Sequence, residues 1–268
     1  MKNKYNLAAR AAVLTLALTA AFALMTTAFA YSPYASSVPG IGRTAGPDGV
    51  LPNSLWYNGD LNHINGLANE RDDGLGSGQY AHVFDDFNVP TGQIWNLTGL
   101  YSNNYMSYAE QGGPTTAVEW SIRQGITAGN GGTLIASGTA GPGNFQVLFH
   151  NPGDFGFTEY SVNAMNLNIT LTAGTYFLNV TPIGAGAGRS FTSDTSGAGC
   201  IGNPCGNNGN AFFDSNFFGA NYQHTGDQGQ PGDFSMGVQG TIIVPEPATW
   251  ALLGLGTLLV AVRRRRSA

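Results

Sequence analysis

The chain has 268 residues, enough for one large or two small domains, and only 10% of them are charged. Its formal charge of −5 hides an uneven distribution: once the lysines and arginines of the two ends are set aside, residues 31–247 hold sixteen acids, four arginines and no lysine, a net of −12. Such a body repels phosphate backbones, whose binding needs clustered Lys and Arg, and this excludes a nucleic-acid partner.

At the amino terminus Lys2, Lys4 and Arg10 precede and flank the uncharged apolar stretch 11–25, and Ala28-Phe29-Ala30 follows it. Small residues at Ala28 and Ala30 complete the pattern of a secretory signal peptide over 1–30, cut by signal peptidase before Tyr31. An uncut amino-terminal anchor is the competing reading. Residues 31–78, rich in Gly, Pro, Asn and Ser, read as an extended lead-in with one early strand near 54–58.

From Tyr80 onward the apolar alternation sharpens. The run 81–89 ends at Pro90-Thr91-Gly92, read as a turn, and 93–101 follows with Trp95 and Leu97 on one face. In 117–124, Val118, Trp120 and Ile122 share a face opposite Glu119, Ser121 and Arg123; shorter apolar runs follow at 133–137 and 145–149. Leu167, Ile169 and Leu171 alternate with polar residues up to Ala173-Gly174, and Tyr176, Leu178 and Val180 continue in step, which predicts a hairpin. Near the end Phe234, Met236 and Val238 alternate again. No window carries a helical stripe and no repeat of propeller length occurs. The expected fold of 79–243 is all-β, an antiparallel β-sandwich of jelly-roll-like type.

Candidate chemistry is sparse. Cys200 and Cys205, in an oxidising compartment, read as a disulfide worth about 2 kcal/mol that pins the glycine-rich loop 184–210. A two-cysteine metal site would need a nearby His, and none lies close in sequence. The segment 212–222 concentrates aromatics; Phe217, Phe218 and Tyr222 beside Asn and Asp are candidate sugar contacts, while filling of the core is the plainer account. Asp72, Asp73, Asp85 and Asp86 are candidate oxygen donors for Ca²⁺, set against a plain role as solvated turn and edge acids. Glu119 and Glu159 are the carboxylates by type for glycoside hydrolysis, if they face one another; strand glutamates more often face solvent. The four histidines show no metal-ligand spacing, no Gly-x-Ser-x-Gly elbow occurs, and Gly197-Ala-Gly199 with Gly202 lacks the strand and helix of a dinucleotide site.

The carboxy terminus reads Val244-Pro245-Glu246-Pro247, then the apolar run 248–262, then Arg263, Arg264, Arg265 and Arg266. As a helix the run spans about 22 Å, short of a full crossing, with Trp250 and snorkelling arginines extending it. The arginines hold this end in the cytoplasm and leave residues 31–247 outside. Two prolines keep the chain extended around Glu246, accessible to a processing enzyme. A proline-stopped tail anchor is the simpler alternative.

Pro245-Glu246-Pro247, a short apolar helix and a terminal arginine cluster together resemble the PEP-CTERM sorting signal of Gram-negative bacteria. The resemblance covers 244–268 only. It implies recognition by an exosortase, transient anchoring in the inner membrane, delivery to the cell surface or beyond, and the company of exopolysaccharide production. The function expected is a non-catalytic structural or adhesive role at the cell surface or in a biofilm matrix, without a cofactor. Carbohydrate binding and extracellular glycan hydrolysis are the alternatives.

Overall fold

A computed structural model describes residues 34–36, 49–107, 115–151, 156–184, 188–228 and 232–243. The signal segment with Ala28, Ala30 and Tyr31, and the tail with Pro245, Glu246, Pro247 and Arg263–Arg266, lie outside the described residues. So does the apolar run 248–262; among the described residues no helix is long and apolar enough to cross a membrane.

The described residues form thirteen strands: β1 (Tyr34–Ser36), β2 (Ser54–Tyr57), β3 (Leu61–Ala68), β4 (Glu70–Arg71), β5 (Tyr80–Met106), β6 (Ala117–Gln124) and β7 (Thr133–Ala140), then β8 (Phe145–Asn151), β9 (Thr158–Ile183), β10 (Ser190–Thr195), β11 (Phe212–Ser215), β12 (Ala220–His224) and β13 (Met236–Ile243). One short 3-10 turn, Thr225–Gln228, joins them. All thirteen belong to one hydrogen-bonded sheet, antiparallel except where β4 meets β9. β2 falls at the early strand expected near 54–58 and β6 where the alternation places it, and Val118, Trp120 and Ile122 are buried on one face of β6.

Two expectations are corrected by the long strands. β5 runs unbroken for 27 residues through Pro90-Thr91-Gly92, and β9 for 26 through Ala173-Gly174. The arms 166–172 and 175–181 do not pair with each other; both pair with β5, from Met106 opposite Thr158 to Asp85 opposite Leu178. The two turn signals instead lie opposite one another: Val89 pairs with Gly174 and Ile94 with Thr172, so residues 90–93 face Ala173 alone. Extra residues on one strand form a bulge that bends the pair. Gly92, at φ 81°, adopts a backbone conformation that side chains oppose.

Beyond that corner the sheet doubles back on itself. Ser102 pairs in the sheet with Val162 and Met236, yet its Oγ donates to the carbonyl of Val180, which lies on the opposite arm of β9, at 2.9 Å. Aromatic rings fill the bend: Phe87 stacks with Trp56 at 5.5 Å, Tyr176 at 5.6 Å and Trp95 at 6.2 Å. Such pairs each add about 0.5–1.5 kcal/mol beyond their burial.

The segment 31–78 is a lead-in only in part. From Gly49 onward it is folded: Trp56, Tyr57, Leu61, Leu67 and Ala68 are buried, and β3 pairs with β10. The expected loop 184–210 likewise contains β10, all six of whose residues are buried.

Candidate functional site

Cys200 and Cys205 are joined by a disulfide. Its loop docks on β2: Tyr57 and Ile201 exchange backbone bonds of 2.9 and 2.8 Å, and Trp56 Nε1 donates to the Pro204 carbonyl at 2.9 Å. The aromatic segment is a β11–β12 hairpin turned largely inward. Phe212 and Phe213 are buried; Phe217 and Phe218 are half-buried, pack edge to face at 4.9 Å and lean on the core. Tyr222 packs against Phe84 at 5.4 Å, with Arg123 over its ring at 5.5 Å. All three rings are thus partly committed to packing within the body.

The four aspartates proposed for Ca²⁺ point their oxygens at N–H donors. Asp73 Oδ1 accepts from the Gly188 amide at 2.7 Å. Asp85 is fully buried and accepts from Asn58 Nδ2 at 2.8 Å, the Phe234 amide at 2.7 Å and the Asp86 amide at 2.8 Å. Asp86 takes Asn208 Nδ2 at 2.9 Å, and Asp72 lies 3.5 Å from Arg71 Nε. Among the described residues no three His, Cys, Asp or Glu side chains converge as metal ligands.

Glu119 and Glu159 are each engaged by basic side chains. Glu159 is fully buried, with its Oε1 3.1 Å from His63 Nδ1. Glu119 is held by Arg71 Nη1 at 2.6 Å, with His82 Nε2 at 3.6 Å. Burial opposes its charge, but His82 and the Arg71 guanidinium overcome that and hold the carboxyl down at about 2. Such a group does not donate a proton near neutrality.

A set of acids is buried that sequence reading did not place in the interior. Glu70 pairs with Arg189 Nε at 2.6 Å in the interior, and burial raises its carboxyl to about 7 despite the partner. Asp194 is also raised to about 7, by burial and then by the nearby Asp233 charge. Asp233 accepts backbone N–H groups from Asn208, Gly209, Asn210 and Ala211. Burial, then the Asp233 charge, pushes Asp85 well above the usual carboxylate range. These acids come from distant segments, and nothing local in the sequence marks them as interior.

A surface groove of about 480 Å³ lies among the described residues. The loop 51–53, β5, β8, β9 at positions 163–167 and β13 build it, and among the described residues no charged side chain lines it. Five carboxamides do: Asn53, Gln146, Asn163, Asn166 and Gln239, beside Thr98 and an apolar floor that includes Leu148, Met165 and Leu167. Asn53 at φ 60° and Asn166 at φ 57° use left-handed backbone that Asn tolerates better than most residues. Gln239 Nε2 donates to the Pro52 carbonyl at 2.7 Å and Asn166 Nδ2 to Asn144 Oδ1 at 3.1 Å, which fixes two of the amides.

Next to the lining residue Thr98 lies the buried Gly99. Gln239 Oε1 and Asn163 Oδ1 both converge on the position where a Cβ would project, the latter 3.3 Å from it. Asn163 is 5% exposed and its Oδ1 has no hydrogen-bond partner. Two amide acceptors thus meet over a residue without a side chain. The groove draws on five separate stretches of chain, so no spacing in the sequence announces it.

Residues 244–266 match the family model of the PEP-CTERM protein-sorting motif. No curated protein and no solved structure matches the chain. The matched tail is that of an exported, exosortase-sorted protein of the cell envelope.

Proposed function

We propose that the protein is a non-catalytic component of the bacterial cell surface or extracellular matrix, structural or adhesive in role and associated with exopolysaccharide. Signal peptidase and an exosortase are its processing partners, with transient residence in the inner membrane. We read its doubled-back sheet as a jelly-roll-like sandwich. The sorting motif at 244–266 carries this reading, because it addresses the body to the envelope. The engagement of Glu119 and Glu159 in ion pairs supports a non-catalytic role over glycan hydrolysis. Carbohydrate binding is the second reading, and the amide-lined groove favours it over the half-buried aromatic hairpin.

The test is deletion of the gene in the producing bacterium, with washed matrix and spent medium assayed for the protein in the wild type. The proposal expects the protein in the matrix fraction and loss of cell–cell cohesion in the deletion strain. Protein found only in the medium, with unchanged cohesion, would refute it.

A further inference from the structure

We propose that the groove lined by Thr98, Gln146, Asn163 and Gln239 binds a neutral, hydroxyl-rich glycan chain. The assignment rests on the carbohydrate-binding reading and adds the charge class of the ligand and the groups that hold it.

Among the described residues the groove has no charged lining, so a glycan bearing carboxylates or sulfates would lose hydration there without gaining a cation in return. The acidic body, at −12 over residues 31–247, repels such polymers as well. Its volume of about 480 Å³ lies inside the span of roughly 300–1,000 Å³ usual for ligand sites.

The hydrogen-bond inventory points the same way. Asn163 Oδ1 is an acceptor without a donor, and Gln239 Oε1 stands beside it over Gly99. A carboxylate or phosphate offers only acceptors and leaves both oxygens unmatched. A sugar hydroxyl donates one bond and accepts another, so it pairs with both the oxygen and the nitrogen of neighbouring carboxamides. Leu148 and Met165 beside those amides offer an apolar ledge to the C–H face of a pyranose ring. Because Asn163 Oδ1 is sealed from solvent, a ligand reaches it only if the Asn163 amide turns outward.

The experiment is calorimetric titration of the full chain in detergent. The probes are neutral gluco- and manno-hexasaccharides, oligogalacturonate as the anionic control, and an uncharged Gly/Ser peptide of similar length. Two variants accompany the wild type: Gln146→Ala, at an exposed groove position, and Gly99→Ala, whose Cβ would push the Gln239 amide out of its place beside Asn163. A neutral hexasaccharide is expected to bind, each variant weakening it by roughly tenfold with little change in melting temperature. Binding of oligogalacturonate instead would overturn the neutral assignment while leaving a carbohydrate role standing. Neutral binding that both variants leave intact would overturn the groove as its site. Should Gly99→Ala fail to fold, Gln146→Ala alone decides. Binding of the peptide alone, or of no probe, would overturn the inference and the carbohydrate reading together.

Discussion

Ser102 Oγ donates to the carbonyl of Val180 at 2.9 Å, across the two layers that the doubled-back sheet brings together. The contact belongs to a buried polar seam. Asn104 Nδ2 bonds Ser102 Oγ at 2.8 Å and its Oδ1 accepts from Thr192 Oγ1 at 2.8 Å. Asn69 then joins Thr192, Val180 and Thr181, at 2.7, 2.7 and 2.6 Å. A polar interior is tolerable because its members satisfy one another, and each is costly to remove singly.

Asn69→Ala should therefore destabilise the body by about 3 kcal/mol, since it removes three buried hydrogen bonds at once, to Val180, Thr192 and Thr181. Denaturant unfolding of the variant measures this. A loss under about 1 kcal/mol would show that the seam is not as closely coupled as these bonds imply.

The buried acids set the pH dependence. Asp194 and Glu70 rise from ordinary values of 3.8 and 4.5 to about 7 in the folded chain. Between those limits the folded state binds more protons than the unfolded one, so stability falls as pH rises. Glu119 works in the opposite sense: held at about 2, it withdraws stability as pH drops below its ordinary 4.5. Melting temperature should climb from pH 8 to about pH 5 and decline below about pH 4. Asp194→Asn should flatten the upper limb; a slope unchanged in that variant would reject Asp194 as a source.

The disulfide closes a short loop with a sequence separation of 5, so its chain-entropy contribution is modest. Replacing Cys200 and Cys205 by Ala together should cost about 2 kcal/mol. The same variant should raise hydrogen exchange at Ile201, whose amide bonds the Tyr57 carbonyl at 2.8 Å. Protection at Ile201 equal to wild type would mean that the loop docks without its cross-link.

Much of the fold was legible where burial is one-sided. β6 shows it: Val118, Trp120 and Ile122 face inward and alternate with polar neighbours, so the period of two survives in the sequence. The long strands misled because turn chemistry is local whereas their pairing is not. Pro90-Thr91-Gly92 and Ala173-Gly174 are good turn sequences, but they meet at one corner across some eighty residues and bend the sheet there. Residues 49–78 looked like a linker because Gly and Asn interrupt the alternation. Asn58, Asn69 and Glu70 are nonetheless fully buried, supported by partners far along the chain. The groove was illegible for the same reason, since Gln146, Asn163 and Gln239 acquire meaning only when β8, β9 and β13 are brought together.

Export and tail processing can be read from a single intact-mass measurement on membrane and extracellular fractions of the producing bacterium. The native protein should lack both the amino-terminal 1–30 and the apolar tail, whereas Ala at 245, 246 and 247 should yield a heavier, membrane-held species that keeps residues 248–268. A mutant trimmed like the wild type, or an untrimmed native chain in the cytosol, would contradict the account.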